Sequence, residues 1–255
     1  MKKIIVTGGT GRFGEILKRY KTKHKIFYPE KKDLDILDTK KLKKYLLKKN
    51  PKILIHLAGL SRPMDVHEKQ IERSIDLNII GTANVTKICK ELNIKLIYFS
   101  TNYVYPGKTG NYKETDPLLP VNNYAWSKLG GETSVRLYKN SLILRVCMTQ
   151  KPFVHNKAFA NVKTSFIFHE DVVKILFKLL NKKGVINLGG KPDYIYNFAK
   201  KNIPVIFYFN GTHEDYHKPT DTANKINYPI LEKRIKLIFY TAWELANRKN
   251  RIQLK

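Results

Sequence analysis

The chain has 255 residues, enough to bury a sizeable core, and a hydrophobic fraction of 42%, which is ordinary for a folded protein and argues against disorder. No apolar run approaches the roughly 18 residues that a membrane span needs, and the apolar segment that starts at Lys3 leaves no room for a signal peptide. Cys89 and Cys147 are too few for a disulfide framework. We therefore expect a cytoplasmic protein, not bound to a membrane, with buried thiols.

The charge of the chain is strongly positive. Forty-eight Lys and Arg residues against 21 Asp and Glu residues give a net charge of +27, which raises the question of nucleic-acid binding. The excess is mostly lysine spread along the whole chain, while arginine, which binds phosphates and base edges best, is scarce. We therefore favour attraction of a small anionic substrate and regard nucleic acid as an unfavoured partner.

Short apolar runs alternate with longer segments of helical pattern in the first 190 residues. The runs are rich in Ile, Leu and Val without polar alternation, which is typical of strands buried on both faces. This order predicts an α/β fold, a doubly wound parallel sheet of the Rossmann type. The predicted strands are Lys3–Val6, Lys25–Tyr28, Ile53–Leu57, Leu96–Ser100 and Leu142–Val146, and the predicted helices are Gly14–Tyr20, Thr39–Lys49, Ser74–Leu92 and Asn122–Tyr138.

The remainder of the chain is less regular. Phe166–Leu180 predicts an extended piece followed by a helix, and Gly184–Leu188 predicts a further strand. We expect residues 1–190 to form the Rossmann-type domain and residues 191–255 to form a short lobe packed on it, in one bilobal unit. Within the lobe we expect a short helix, a strand, a polar loop and a final strand or helix at Tyr194–Lys200, Val205–Phe209, Asn210–Thr222 and Leu231–Asn247.

A glycine-rich turn follows the first predicted strand. Residues 7–14 read TGGTGRFG and satisfy the spacings Gly-x-Gly-x-x-Gly and Gly-x-x-Gly-x-x-Gly at once. Between a buried strand and a helix, such a turn brings backbone N–H groups and a helix N-terminus to a dinucleotide pyrophosphate. The predicted cofactor contacts in the turn are Gly8, Gly11, Arg12, Phe13 and Gly14.

The choice of dinucleotide depends on the end of the second predicted strand. Glu30 can hold ribose hydroxyls as in NAD-specific sites, but Arg12, Lys31 and Lys32 are available to neutralise a 2′-phosphate. We favour NADPH, with NADH as the alternative. Asp35 follows and can reach the adenine, unless it only caps a loop.

Proton-transfer chemistry is indicated by Tyr124 and Lys128. The spacing Tyr-x-x-x-Lys occurs four times in the chain, so the spacing alone proves little. This pair, however, lies near the start of a helix downstream of a buried strand that ends in Ser100-Thr101. Residues four apart share a helix face, so the ammonium can stabilise the phenolate. Tyr124 can then exchange a proton with a carbonyl oxygen that Thr101 orients.

The chain resembles the extended short-chain dehydrogenase/reductases, above all the dTDP-4-dehydrorhamnose reductase group of nucleotide-sugar enzymes. The matching segments are residues 7–14, Asp33–Asp38, His56–Gly59, Asn78–Thr82, Ser100–Gly107, Glu114–Pro117 and Asn123–Glu132. The resemblance is good to about residue 190 and poor beyond. It implies that Thr101, Tyr124 and Lys128 form the catalytic trio and that Lys128 also holds the nicotinamide ribose. It further implies that Leu57, Ala58 and Gly59 line the cofactor channel.

The residue after the catalytic threonine distinguishes activities within that superfamily. Sugar dehydratases usually have Asp-Glu there, and the reductases commonly have Thr-Asp-Tyr, whereas this chain has Asn102-Tyr103. Asparagine cannot do acid–base work, so dehydration is disfavoured, and Asn102 becomes a candidate substrate contact. Ser61 and Arg62 are further weak candidates. Arg145 either faces the substrate diphosphate or is a salt-bridged arginine of the core.

The expected activity is the NAD(P)H-dependent reduction of a 4-keto-6-deoxy nucleotide sugar for a surface glycan, with the C-terminal lobe binding the substrate. The alternatives are a nucleotide-sugar C4 epimerase with tightly held NAD, and a regulatory protein that binds the dinucleotide without turnover. No metal is expected, because the histidines have no ligand spacing. The resemblance also implies a homodimer through the helices predicted at Ser74–Leu92 and Asn122–Tyr138.

Overall fold

A computed structural model describes residues 1–151, 153, 161–200 and 227–248 of the chain. The strand predicted at Val205–Phe209 and the loop predicted at Asn210–Thr222 lie outside the described residues. None of the described helices is long and apolar enough to cross a membrane.

Six strands form one parallel sheet, as the apolar runs predict. The order across the sheet is β2-β1-β3-β4-β5-β9, and every neighbouring pair is parallel. The strands are β1 (Lys3–Thr7), β2 (Lys25–Phe27), β3 (Ile53–His56), β4 (Lys95–Thr101), β5 (Ser141–Val146) and β9 (Gly184–Leu188). The strand order reverses between β1 and β3, and in open α/β sheets ligands bind outside the carboxyl ends of the strands at that point.

Helices cover both faces of the sheet. The helices of the described residues are α1 (Arg12–Arg19), α2 (Thr39–Lys49), α3 (Val66–Lys69), α4 (Ile71–Ser74), α5 (Gly81–Glu91), α6 (Asn123–Arg136), α7 (His169–Leu179), α8 (Ile195–Lys200) and α9 (Tyr228–Asn247). One core cluster joins the sheet to α1 and α7, and the other joins it to α2, α5 and α6. Alternate residues of β1 serve the two clusters, so Ile4 and Val6 face one and Ile5 faces the other. This explains why the strands read as unbroken apolar runs.

The helix predicted at Ser74–Leu92 is irregular at its start. It is continued from α4 by a π-helical turn at Ile75–Ile80, and α5 follows directly. Single π turns inside helices often accompany functional sites, because they aim side chains that a regular helix would not. Here the turn contains Asn78, whose contacts are described below.

Two small sheets follow the main one. The strands β6 (Met148–Thr149) and β8 (Ile167–Phe168) pair in parallel, and β7 (Lys163–Thr164) pairs with β10 (Asp193–Tyr194) in antiparallel fashion. The extended piece and helix predicted within Phe166–Leu180 correspond to β8 and α7. The short helix predicted at Tyr194–Lys200 corresponds to α8.

Contacts divide the chain into two units, Met1–Phe198 and Ala199–Lys255. The first unit therefore extends past the predicted boundary at residue 190 and includes β10. In the second unit the structure describes α9, which resolves the strand-or-helix alternative for Leu231–Asn247 as a helix. Its first turn is capped, because the Asn227 side chain accepts a hydrogen bond from Ile230 N at 3.2 Å. The packing of residues 191–255 as a substrate lobe stays a prediction.

Candidate active site

The glycine turn closes tightly at the carboxyl end of β1. Gly11 N donates to Gly8 O at 3.0 Å, and Gly8 has a φ of +69°. A Cβ at Gly8 would lie 2.6 Å from Ala58 N, in the segment that follows β3. Glycine is thus required twice at this position, by its positive φ and by the approach of a neighbouring strand end.

The rest of the turn leaves a free cradle of backbone groups. A Cβ at Gly9 would meet the Tyr28 ring at 2.6 Å, and one at Gly14 would meet Gly9 O. The helix α1 begins at Arg12 with Gly11 as its N-cap, and no side chain caps its first N–H groups. Uncapped N–H groups at a helix N-terminus, with no Cβ in the way, fit a dinucleotide pyrophosphate.

The two residues that follow Gly11 have different surroundings. Arg12 is exposed, whereas Phe13 is buried, with its ring 5.2 Å from Phe99 and 5.4 Å from His169 between ring centroids. Phe13 therefore anchors α1 to the sheet and can offer a ligand only its backbone. The Arg12 guanidinium is free to approach a phosphate.

Thr7 and His56 tie the ends of β1 and β3 together. Thr7 Oγ1 lies 2.7 Å from His56 Nδ1 and accepts a hydrogen bond from Ala58 N at 3.3 Å. The other ring nitrogen of His56 lies 3.1 Å from Thr82 Oγ1. Burial lowers the pKa of His56 to about 3, and the charge of Lys128 lowers it further. His56 is therefore a neutral connector that holds Ala58 beside the glycine turn.

Asn78 fixes the segment after Ala58 from the helix side. Its amide nitrogen donates to Leu60 O and to Ser127 Oγ, both at 2.9 Å, and its amide oxygen accepts from Leu60 N at 2.7 Å. The side chain is fully buried. Because Ser127 lies on α6, one amide joins the Leu57–Leu60 segment to the helix that carries Tyr124.

The helix α6 presents the tyrosine and the lysine on one face. It begins at a sequence-encoded cap, since the Asn122 side chain accepts a hydrogen bond from Ala125 N at 2.8 Å. The Tyr124 ring contacts His67 and Tyr103, with ring centroids 5.1 Å and 6.2 Å apart. Tyr124 thus sits in an aromatic pocket one turn from Lys128.

Thr101 is the last residue of β4 and lies beside this aromatic pocket. Its Oγ1 accepts a hydrogen bond from Tyr103 N at 3.2 Å, which caps the short turn that follows the strand. The Thr101 side chain also lowers the pKa of the Tyr124 phenol, but burial has the larger effect, and the pKa is raised to about 12. Thr101 therefore caps the turn beside Tyr124, and Tyr124 stays protonated throughout the neutral range.

Lys128 lies in a poorly solvated place. Burial lowers its pKa to about 7, and the carboxylate of Glu132 acts in the opposite direction. The ammonium nitrogen lies 4.3 Å from the centroid of the Tyr98 ring. A lysine whose pKa falls near neutrality, beside a tyrosine in a pocket, is typical of a site that moves protons.

The structure corrects the expectation that Arg145 contacts the substrate. Its side chain is fully buried and paired with Glu132, with Nη2 donating to Oε1 at 2.7 Å. Nη1 donates to the hydroxyl of Tyr105 and to the carbonyl oxygen of Glu114. These bonds occupy the guanidinium inside the core, so the salt-bridged alternative is the one that the fold adopts.

Of the other candidate substrate residues, Arg62 is the best placed. Partial desolvation lowers the pKa of Arg62, Arg12 lowers it further, and Tyr103 and Tyr124 act in the opposite direction. Arg62 thus lies among the groups of the site, and its neighbour Ser61 is exposed. Asn102 is half-buried and opens the turn after Thr101.

Asp35 caps a loop, which is the alternative to an adenine contact that the sequence also allowed. Its carboxylate accepts a hydrogen bond from Leu37 N at 3.0 Å and lies 3.8 Å from Lys31 Nζ. A contact with the adenine stays a prediction. In the described part of the chain, no group of three or more His, Cys, Asp or Glu side chains is arranged to hold a metal ion.

Three residues of the site were not found from the sequence. His67 packs on the Tyr124 ring, Tyr103 closes the other side of the pocket, and Glu132 lies behind Lys128. His67 lies on the four-residue helix α3, which is too short to show a periodic pattern, so no local signal could have placed it. Glu132 lies four residues after Lys128, so the helical spacing is the signal that could have placed it on the same face.

A parallel sheet with a glycine turn at its switch point, and a Thr–Tyr–Lys group at the carboxyl end of its fourth strand, defines an extended short-chain dehydrogenase/reductase. The chain belongs to the family described as RmlD substrate binding domain, whose model matches residues 1–175. The fold and family expected from the motifs are thereby confirmed.

A solved relative has the same fold over most of its length. The structure of dTDP-4-dehydrorhamnose reductase from Bacillus anthracis in complex with NADP superposes with a TM-score of 0.72 at 25% identity, covering 78% of this chain and 79% of that one. A hypothetical dTDP-4-dehydrorhamnose reductase from Sulfolobus tokodaii superposes with a TM-score of 0.68 at 27% identity, covering 79% and 81%.

Curated relatives resemble a little more than half of the chain. Methionine adenosyltransferase 2 subunit beta from Xenopus laevis is 30% identical over 155 residues, which are 57% of this chain and 46% of that protein. Spore coat polysaccharide biosynthesis protein SpsK from Bacillus subtilis is 31% identical over 149 residues, which are 57% and 52%. The chain spans about half the length of these relatives.

Proposed function

We propose that this protein is an NAD(P)H-dependent reductase of a 4-keto-6-deoxy nucleotide sugar. The observation that carries the proposal is the grouping of Thr101, Tyr124 and Lys128 beside a glycine turn that fits a pyrophosphate. The influence of Thr101 on the Tyr124 phenol, together with a lysine one helical turn from Tyr124, supports the arrangement that carbonyl reduction needs. The superposition on dTDP-4-dehydrorhamnose reductases supports this substrate class.

A dinucleotide bound at the glycine turn would supply the hydride that reduces the carbonyl carbon. Tyr124 delivers its phenolic proton to the carbonyl oxygen, which Thr101 holds in line by donating its own hydroxyl hydrogen. Transfer is favourable although burial raises the pKa of Tyr124 to about 12, because a sugar alkoxide is a still stronger base. The ammonium of Lys128 stabilises the phenolate that remains.

The proposed cofactor is NADPH, with NADH as the alternative. The backbone of Gly8, Gly11, Phe13 and Gly14 would hold the pyrophosphate, and Arg12 would face a 2′-phosphate. Leu57, Ala58, Gly59 and Lys128 would lie along the nicotinamide half. Support for NADP comes from the solved Bacillus anthracis relative, whose structure contains it.

The proposed substrate is a nucleoside diphosphate sugar, and a net charge of +27 favours its capture. Ser61, Arg62 and Asn102 are the proposed contacts with it. A cytoplasmic location, a homodimer and the absence of a nucleic-acid partner remain our expectations. The similarity to a spore coat polysaccharide biosynthesis protein supports a role in making a surface glycan.

The test is NADPH oxidation by the purified protein with dTDP- and UDP-4-keto-6-deoxyglucose. Tyr124→Phe should lower kcat by about 100-fold or more while NADPH binding is retained. The matched control is Tyr138→Phe, which removes a hydroxyl that donates to Ile94 O at 3.1 Å, beyond the last residue of α6. Cofactor binding without reduction of either sugar would contradict the proposed substrate.

A second candidate is a regulatory NAD(P)-binding subunit, which the similarity to methionine adenosyltransferase 2 subunit beta favours. It predicts NADPH binding with no turnover of any keto sugar. A C4 epimerase would instead be purified with its dinucleotide bound and would need no added hydride donor. NADPH oxidation in the same assay identifies the reductase, and dinucleotide that stays bound through purification identifies the epimerase.

A further inference from the structure

The carboxylate of Glu132 lies where the elements that carry the catalytic groups meet. Oε2 accepts a hydrogen bond from Ser100 Oγ at 2.7 Å, and Oε1 accepts one from Arg145 Nη2 at 2.7 Å. Ser100 directly precedes Thr101 at the end of β4, Arg145 lies on β5, and Glu132 follows Lys128 by one turn of α6. One fully buried carboxylate therefore joins two strand ends to the catalytic helix.

This arrangement holds the Glu132 side chain rigidly between Ser100 and Arg145. Arg145 is fixed from its other side by the hydroxyl of Tyr105, which in turn donates to Asn187 Oδ1 at 2.9 Å on β9. Burying such an ion pair adds little to stability compared with apolar side chains of similar volume. Its consequence is instead a fixed negative charge and a fixed geometry behind the site.

We propose that Glu132 is a positioning residue for proton transfer, which holds the end of β4 against α6 and keeps Lys128 in its ammonium form. The inference rests on the proposed reductase function. Through Ser100 the carboxylate sets the position of Thr101, and through α6 it sets that of Tyr124.

The charges around Lys128 support the second part of the proposal. Burial lowers the pKa of Lys128 to about 7, and Glu132 is the group that raises it. His56 on β3 faces Lys128, and it is neutral because burial lowers its pKa to about 3. From β4 it faces the uncharged ring of Tyr98. On α6 itself, Tyr124 is protonated at neutral pH because burial raises its pKa to about 12.

The experiment compares Glu132→Gln with Glu114→Gln. Glu114 is a suitable control because its Oε1 accepts from Asn187 N at 2.7 Å at the outer end of the same network, and it does not belong to α6. In Glu132→Gln the alkaline limb of kcat/KM should move to lower pH, so that kcat/KM at pH 7 falls about tenfold. The profile of Glu114→Gln should match that of the wild type.

A direct readout does not depend on turnover. Competitive acetylation of Lys128 across a pH series, read by mass spectrometry, gives the midpoint at which its amine becomes reactive. The midpoint should move to lower pH in Glu132→Gln and stay in place in Glu114→Gln. Equal midpoints in Glu132→Gln and the wild type, or an equal movement in both variants, would overturn the inference. A movement without NADPH oxidation would overturn the reductase proposal, and with it the role in proton transfer, and would leave only the effect of Glu132 on the Lys128 amine.

Ser100→Ala tests whether Glu132 sets the position of Thr101 through Ser100. Because this variant keeps the Arg145–Glu132 ion pair, the test remains possible if Glu132→Gln fails to fold. Removing the hydroxyl that donates to Oε2 should lower kcat about tenfold with KM and the Lys128 midpoint unchanged. An unchanged kcat would overturn the positioning role.

Discussion

The ammonium of Lys128 lies over the Tyr98 ring, 4.3 Å from its centroid, and the Tyr98 hydroxyl donates to the carbonyl oxygen of Lys128 at 3.2 Å. Tyr98 thus contacts the same residue at its side chain and at its backbone. Because Tyr98 is a fully buried residue of β4, it positions Lys128 relative to the strand that ends in Thr101. An aromatic face supports the cation with less energy than full hydration, so the pKa of Lys128 remains lowered by burial.

Replacing Tyr98 should separate these two contacts. Tyr98→Phe keeps the ring and removes the hydroxyl, so we expect a stability loss of about 1 kcal/mol with an unchanged pH profile. Tyr98→Leu removes the ring, and the alkaline limb of kcat/KM should then move to lower pH because the ammonium loses its aromatic neighbour. Urea unfolding and pH–rate profiles of both variants are the measurements. An equal pH profile in both would show that the ring has no electrostatic role.

Gly8→Ala should abolish tight dinucleotide binding. Gly107 provides a matched control, because its φ of +71° nearly equals the +69° of Gly8. A Cβ at Gly107 would meet nothing within 4 Å, whereas one at Gly8 would lie 2.6 Å from Ala58 N. Both variants bear the strain of a positive φ, about 1 kcal/mol, but only Gly8→Ala must push the Ala58 segment away.

The measurement is NADPH affinity by fluorescence titration, together with thermal unfolding. Gly107→Ala should bind NADPH as the wild type does. If Gly8→Ala binds equally well, the glycine turn is not the pyrophosphate site.

Two buried histidines should make the fold sensitive to acid. Burial lowers the pKa of His56 to about 3 and that of His169 to about 4. Both values lie below the pKa of about 6.5 of an unfolded histidine. Above that pH the two histidines are neutral in both the folded and the unfolded chain. Below it they bind protons in the unfolded chain but stay neutral in the folded chain. The free energy of unfolding should therefore fall as the pH falls from about 6.5 towards 4.

His169→Leu should reduce this dependence. His169 Nδ1 is buried without a hydrogen-bond partner, and the ring edge packs on Phe13, so leucine preserves the apolar contact. Between pH 6.5 and pH 5, the free energy of unfolding should fall by about 2 kcal/mol less in the variant than in the wild type. Urea unfolding at several pH values measures it, and parallel curves for the two proteins would contradict the assigned pKa.

Local patterns predicted the sheet, the glycine turn and the Tyr124–Lys128 face, because each depends on residues that are near in sequence. The role of Arg145 depended on which residue packs against it, and its partner Glu132 lies on another element, so two alternatives remained open. His67 approaches Tyr124 from the four-residue helix α3, and a helix this short has no periodic pattern that predicts it. The π turn at Ile75–Ile80 also escaped prediction, because its apolar pattern reads as an ordinary helix.

Asn78 in that π turn should be needed for cofactor binding. Asn78→Asp keeps the acceptor for Leu60 N but loses the donors to Leu60 O and Ser127 Oγ, and it places a carboxylate against a carbonyl oxygen. We expect a stability loss of about 2 kcal/mol and weaker NADPH binding, because the Ala58–Leu60 segment loses its anchor. The matched control is Asn84→Ala on α5, whose amide donates to Ile36 O at 3.0 Å, in the loop that precedes α2. It should lose about 1 kcal/mol without a change in affinity, and an equal weakening of NADPH binding in both variants would attribute the effect to general loosening of the fold.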